Sequence, residues 1–349
     1  MAISRYTNYD RQVAGWLILC AVVIFGMILL GGVTRLTNSG LSIVEWQPII
    51  GIVPPLSEQA WQAAFDKYRQ FPEYQKINHG MSLDDFKTIF MYEYLHRLLG
   101  RLIGVLFFLP MLYFGLRGRV RAGMMPRLWL LFLLGACQGL LGWYMVKSGL
   151  VDNPHVSQYR LTAHLGLAVL IYAWMLWLIF ELLGGRPARG QQPHRYARWG
   201  LGLAILVFLM ILSGGLMAGT HAGFTYNTWP LMGESFVPQG LYAGDPAWLA
   251  MFEDITTIQF NHRMFAYLLF VLIHVFALLL WRSGLGLRAR VATVLLLAAL
   301  WLQLALGITT LLQHVPVGLG VAHQGGAVLL LSAVLYATHV LRKPSRSHL

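Results

Sequence analysis

Eight apolar runs, each close to the length that crosses a bilayer, constrain this chain more than any other feature. They fall at about 13–33, 88–116, 128–147, 160–183, 199–219, 259–281, 291–312 and 320–341. About 20 apolar residues span the hydrocarbon layer as a helix. A helix also satisfies its own backbone N–H and C=O groups where there is no water to do so. Of the 349 residues, 57% are hydrophobic and 11% charged, where a soluble protein has roughly a quarter charged. A soluble core of this size cannot hide that much apolar surface, so a soluble enzyme is excluded. The aromatic content of 13% opposes low-complexity disorder. The expected fold is an all-α polytopic membrane protein with eight transmembrane helices. The first run lacks a small-residue cleavage site and is expected to be retained. Cys20 and Cys137 both lie inside apolar runs, so no disulfide is expected in the exposed loops.

Eight spans place both termini on one side, and the charges between them choose the side. Arg5 and Arg11 precede the first span. Arg117, Arg119, Arg121 and Arg127 fill the second loop, Arg186, Arg189, Arg195 and Arg198 the fourth, and Arg282, Arg288 and Arg290 the sixth. Arg342, Lys343 and Arg346 follow the last span. These are 16 of the 26 basic residues, and only Asp10 and Glu181 accompany them among the acids. The positive-inside rule therefore makes both termini cytoplasmic. The formal charge of +12 is then a topology signal, and no nucleic-acid partner is expected. The opposite side carries long loops at about 34–87 and 220–258. In the first of them, Ser57 to Tyr74 reads as an amphipathic lid, with Trp61, Phe65 and Tyr68 at helical spacing.

The second half repeats the first. Leu30-Gly31-Gly32 matches Ser213-Gly214-Gly215, which also aligns Thr37 with Thr220, Gly40 with Gly223 and Trp46 with Trp229. Glu93-Tyr94-Leu95-His96-Arg97 matches Gln259-Phe260-Asn261-His262-Arg263. Gln138 and Gly142 match Gln303 and Gly307, and Ala163-His164 matches Ala322-His323. The chain reads as two tandem four-helix bundles, residues 1–190 and 191–349. An even number of spans in each makes them parallel repeats, unlike the inverted repeats of many transporters.

The repeat singles out His96, His164, His262 and His323 among twelve histidines. Each half offers two imidazoles from two helices at similar depth, which suits bis-histidine haem ligation. A lone intramembrane histidine is as often a packing residue, but four at matched positions point to ligation. His274 and His339 lie 12 and 16 residues further in, about 18 and 24 Å along a helix, and read as packing residues, with a second cofactor level as the alternative. His79, His155, His221 and His314 lie in loops and take no ligand role. Arg97, Arg263 and Arg160 stand beside the histidines, where a guanidinium can hold a haem propionate or simply snorkel. The halves differ at one telling place. Glu93 precedes His96 by three residues, on the same helix face, whereas Gln259 precedes His262. An ionisable group there is costly and functional by default, and the bland alternative is a partner for Arg97. A carboxylate in one half only suggests that this half does chemistry while the other holds a permanent haem.

On these residues the chain resembles the haem A synthase family, membrane oxidoreductases that serve terminal cytochrome oxidases. GGVTRLTNSGLSIVEWQPIIGIVPP (31–55), EYLHRLLGRLIG (93–104), FNHRM (260–264) and AHQ (322–324) carry the resemblance over nearly the whole chain. It implies oxidation of a methyl group of haem O to a formyl group through hydroxylation. It further implies haem B on His262 and His323, a substrate haem between His96 and His164, and Glu93 as the catalytic carboxylate. A bacterial inner-membrane location follows, with an electron donor, haem O synthase and oxidase assembly factors as expected partners. Homo-oligomerisation stays open. Some relatives carry a cysteine pair in an outward loop, and this chain has none. Two other readings stay open on the residues themselves. One is a two-haem membrane electron carrier resembling cytochrome b, for which a single carboxylate has no evident use. The other is a transporter, opposed by ionisable residues gathered near one face.

Overall fold

The computed structural model describes residues 2–45, 50–151, 154–184 and 192–342, with side chains before Asn8 outside that description. Trp46, Arg186, Arg189, Lys343, Arg346 and the boundary between residues 190 and 191 therefore lie outside the described residues. Among the described residues, eight long helices carry the fold: α1 (Ala2–Leu36), α4 (Leu83–Leu116), α5 (Met125–Lys147), α6 (Gln158–Leu183), α7 (Ala197–Gly219), α9 (Ile255–Trp281), α10 (Leu287–Leu312) and α11 (Val317–Arg342). Three short ones sit in the long loops: α2 (Glu58–Tyr68), α3 (Pro72–Lys76) and α8 (Ala250–Glu253). All eight long helices are apolar and long enough to cross a membrane, as expected.

The helices outrun the apolar runs where a cap allows it. Ser82 accepts the Asp85 N–H (3.2 Å) and starts α4 five residues before its apolar run. Asp254 does the same for α9, through the Thr257 N–H (2.6 Å). With 34 residues, α4 is about 51 Å long, well beyond a hydrocarbon layer of ~30 Å. Its first turns therefore stand clear of the membrane.

The eight spans close into two rings. In the first, α1 and α5 each pack on both α4 and α6. In the second, α7 and α10 each pack on both α9 and α11. The rings meet along α6–α7, α1–α11 and α6–α11. A single apolar core runs through both, with Leu17, Met175, Ile273, Leu296 and Leu331 buried in it. Lipid offers no hydrophobic drive between helices, so close fit and polar ties hold the rings together. A methyl on Gly215 would lie 3.0 Å from Thr162 Oγ1, and one on Gly325 would lie 2.8 Å from Leu29 Cδ2. Gln324 Nε2 donates to Ile28 O across the seam (2.8 Å). Arg35 at the end of α1 reaches the last carbonyls of α7, donating to Ala218 O (2.6 Å) and to a ring nitrogen of His221 (3.0 Å). A cation suits that helix end. Burial, with Arg35 and His155 nearby, pulls His221 down to about 4, so its neutral ring can accept.

On the arginine-rich face, the two acids that broke the charge pattern are both paired. Asp10 holds Arg121, and Glu181 holds Arg127 (2.8 Å) while accepting from Trp177 Nε1 (3.0 Å). They tie α1 to the loop before α5 and α6 to the first turn of α5.

On the opposite face, α2 and α3 form a lid on the protruding turns of α4. Ser57 caps α2 by accepting the Ala60 N–H (3.2 Å). Phe65, Tyr68 and Tyr74 pack on Phe86 and Phe90, and Trp61 meets Phe90 edge-on at 5.0 Å. Beneath the lid, Glu73 is buried and takes a hydrogen bond from Tyr68 Oη (3.0 Å), which in turn accepts from Asn78 Nδ2 (2.7 Å). Burial pushes the Glu73 carboxyl up to about 8, with Glu93 adding to the rise and Tyr68 and Arg35 opposing it. The folded lid thus holds a proton that the unfolded chain releases near the ordinary value of 4.5. Between those values the folded state binds more protons, so lid stability falls as pH rises through about 8. Hydrogen-exchange protection over residues 58–78, taken relative to the intrinsic exchange rate at each pH, should fall from pH 6 to pH 9, and Glu73→Gln should flatten that dependence. A wild-type lid indifferent to pH would show that Glu73 is ionised throughout.

Candidate functional site

Each ring gathers two of the four repeated histidines. His96 on α4 and His164 on α6 belong to the first ring, and His262 on α9 and His323 on α11 to the second. The other two helices of each ring press on the same imidazoles through glycine. A methyl on Gly31 of α1 would lie 3.2 Å from His96 Cε1, and one on Gly142 of α5 would lie 2.8 Å from His164 Cε1. In the second ring the corresponding distances are 3.7 Å from Gly214 to His262 and 2.7 Å from Gly307 to His323. The repeat in the sequence is thus a repeat in space, with all four helices of a ring enclosing one imidazole pair. Gln138, one turn from Gly142, braces the first pair by donating to His164 O (3.0 Å).

These residues fit a haem in each ring. Imidazole pairs on facing helices are a strong nitrogen donor set for haem iron. Among the described residues, Nδ1 of His96, His164 and His323 is buried without a hydrogen bond, a cost that a further partner would relieve. His262 is the exception, because Ser213 Oγ lies 3.0 Å from its Nδ1. A hydroxyl on one ring nitrogen fixes the ring and leaves the other for a metal. The position matching Ser213 in the first half is Leu30, so His96 has no such brace.

Beside each pair, the loop that leaves the ring's first helix is clamped by the same device. In the first ring, Glu93 accepts from Ser42 Oγ (2.7 Å), Ile43 N (2.7 Å) and Arg97 Nη2 (2.5 Å). Arg97 also donates to Ile43 O (2.7 Å) and Glu45 O (3.0 Å). In the second ring, Gln259 accepts from Tyr226 N (3.1 Å) and donates to Tyr226 O (3.0 Å). Arg263 donates to Tyr226 O (2.8 Å) and Thr228 O (2.9 Å). Tyr226 and Thr228 are the repeat counterparts of Ile43 and Glu45. The two clamps bind the same main-chain atoms and differ in one charge.

The remaining candidates fall into place around this frame. Arg160 stacks over Tyr144, 3.7 Å from the ring centroid, and donates to Tyr144 O (2.8 Å). His274 lies near Phe270 O (2.8 Å) and against Phe270 and Trp301, while His339 sits among Trp177 and Phe180. Both pack against aromatic rings. His314 follows the C-cap of α10 and is left-handed (φ 58°), as is Val315 after it. Sequence reasoning missed Ser213 and the four glycines as neighbours of the histidines. The signal for Ser213 was visible, since it replaces Leu30 at a repeat position.

Residues 14–335 match the family described as cytochrome oxidase assembly protein. Curated relatives are named haem A synthase. The one from Nitrosospira multiformis is 52% identical over 96% of this chain and 94% of its own length. The one from Nitrosomonas eutropha is 48% identical over 97% of both chains. The one from Paramagnetospirillum magneticum is 51% identical over 95% of this chain and 94% of its own length.

Proposed function

Because the chain belongs to the haem A synthase family, we propose that this multi-pass membrane protein oxidises a methyl group of haem O to the formyl group of haem A. The observation that carries the division of roles is Glu93, a carboxylate present in one clamp and replaced by Gln259 in the other. The first ring, within residues 1–190, takes haem O between His96 and His164. The second, within 191–349, holds haem B on His262 and His323. When bound, haem B supplies a one-electron relay. The histidines orient the two groups, and the clamped loops close the rings toward the loop face. Glu93 does the chemistry expected of a buried carboxylate: it stabilises positive charge that develops on the methyl carbon or takes the proton that is lost. Arg263 places a positive charge beside the haem B site, where propionates are to be held. Arg97 and Arg160 are the corresponding cations in the first ring. Haem O synthase upstream and oxidase assembly downstream are the natural partners, together with an electron donor. In cells that make haem O but no haem A, this chain should make haem A appear in the membranes. Haem B alone, with haem O untouched, would favour an electron carrier.

The long loops face away from the cytoplasm in this reading, and the location is the bacterial inner membrane. A cysteine placed at Asp66, in the lid, should react with an impermeant thiol reagent from outside the cytoplasmic face. Reaction only from the cytoplasmic face would reverse the orientation.

The glycine contacts give a further expected result. A ligated imidazole cannot swing away, so Gly307→Ala, with its methyl 2.7 Å from His323 Cε1, should lose most of the low-spin haem absorbance per protein. Gly214→Ala, at 3.7 Å from His262, should retain it. Equal spectra from the two variants would show that His323 is not fixed by a metal.

A further inference from the structure

The two clamps differ in charge balance in a way that bears on which ring gives up its haem. In the first ring the Arg97 guanidinium is neutralised by Glu93 at 2.5 Å, and both side chains are largely buried. In the second ring Arg263 is buried, and among the described residues no carboxylate lies within ion-pair distance of it. Its guanidinium has only the carbonyls of Tyr226, Thr228 and Leu231, and its Nε has no partner. Carbonyl dipoles do not cancel a unit charge, and in a low-dielectric site that charge acts over several ångströms. Of the other cations on the helices of the first ring, Arg101 and Arg160 are half-buried and Lys147 is exposed. The histidines differ in the same sense, since Ser213 braces His262 while His96 has Leu30 at that place.

We propose that the residue preceding each first histidine by three, Glu93 or Gln259, sets whether its ring releases or retains haem, by deciding whether the neighbouring arginine still needs an anionic partner. This rests on the assignment of a haem to each ring. Haem brings two carboxylates. In the second ring they complete the balance of Arg263, and the haem stays. In the first ring Arg97 is already balanced, and a haem that must leave as product gains little from it. Glu93 thereby favours turnover through exchange as well as through chemistry.

The test measures transfer of bound haem to excess apomyoglobin. The purified, detergent-solubilised protein carries its haem B and is then supplied with haem O. Wild type should show a fast phase of haem O release and a slow phase of haem B release. Gln259→Glu should speed the slow phase roughly tenfold or more, and lower the midpoint potential of haem B by neutralising a nearby cation. Glu93→Gln should slow the fast phase by a similar factor. The clamp accepts either residue, as the two rings show, and the two variants act in opposite directions, so a folding defect cannot mimic the pattern. Rates within twofold of wild type in both variants, or both moving the same way, would overturn the proposal. Failure of the underlying assignment looks different: wild type would then lack the slow phase altogether.

Discussion

Replacing Glu93 with glutamine should leave a folded protein with haem B in place and cut haem A formation by roughly a hundredfold or more, the range for a lost general base. The second ring shows why the fold survives. Gln259 holds its loop with Oε1 on Tyr226 N (3.1 Å) and Nε2 on Tyr226 O (3.0 Å). A glutamine at 93 finds Ile43 N and O in the same places. Glu93→Ala is the less informative variant. It strands the Arg97 charge, Ser42 Oγ and the Ile43 N–H in a largely buried site, and losing one member of a buried pair costs about 3–5 kcal/mol. Haem content and haem O conversion should be measured on the same Glu93→Gln preparation. Near-normal conversion would reduce Glu93 to a loop clamp and remove the reason for placing the chemistry in the first ring.

The second large effect concerns His262 and His323. Alanine at either position should abolish the low-spin bis-histidine spectrum of the resident haem, because one imidazole alone leaves iron five-coordinate or bound to a stray ligand. Loss should be all or none at the level of the spectrum, while the protein stays in the membrane. The helix seams do not depend on either imidazole, since the core that joins the bundles runs through Leu17, Met175, Ile273 and Leu331. Survival of the spectrum in both single variants would remove haem from this ring.

Much of this architecture was legible before any coordinates. The spans stood out because a bilayer demands long apolar runs, and only their starts were misjudged. Ser82 and Asp254 extend α4 and α9 through polar turns that hydropathy does not register. The four histidines stood out because the repeat marked them. Of the clamps only the pairing of Glu93 with Arg97 was an open alternative, and their hold on the loops was hidden for a physical reason. Arg97, Glu93, Gln259 and Arg263 bind mainly backbone N–H and C=O groups, so the loop residues they hold share almost nothing: Ser-Ile-Val-Glu at 42–45 against Thr-Tyr-Asn-Thr at 225–228. Gly142 and Gly307 were noticed as matching letters. Their use, making room for an imidazole on the next helix, appears only once α5 and α10 are packed against α6 and α11. Glu73 carried no signal of burial, because its environment is made by a lid folding back on α4.

The most direct test is chromatography of the haems extracted from purified protein, before and after it is supplied with haem O and a reductant in air. One haem B per chain should stay constant while haem O falls and haem A rises. Haem B in both rings, with supplied haem O neither bound nor converted, would contradict the assignment and leave a two-haem electron carrier.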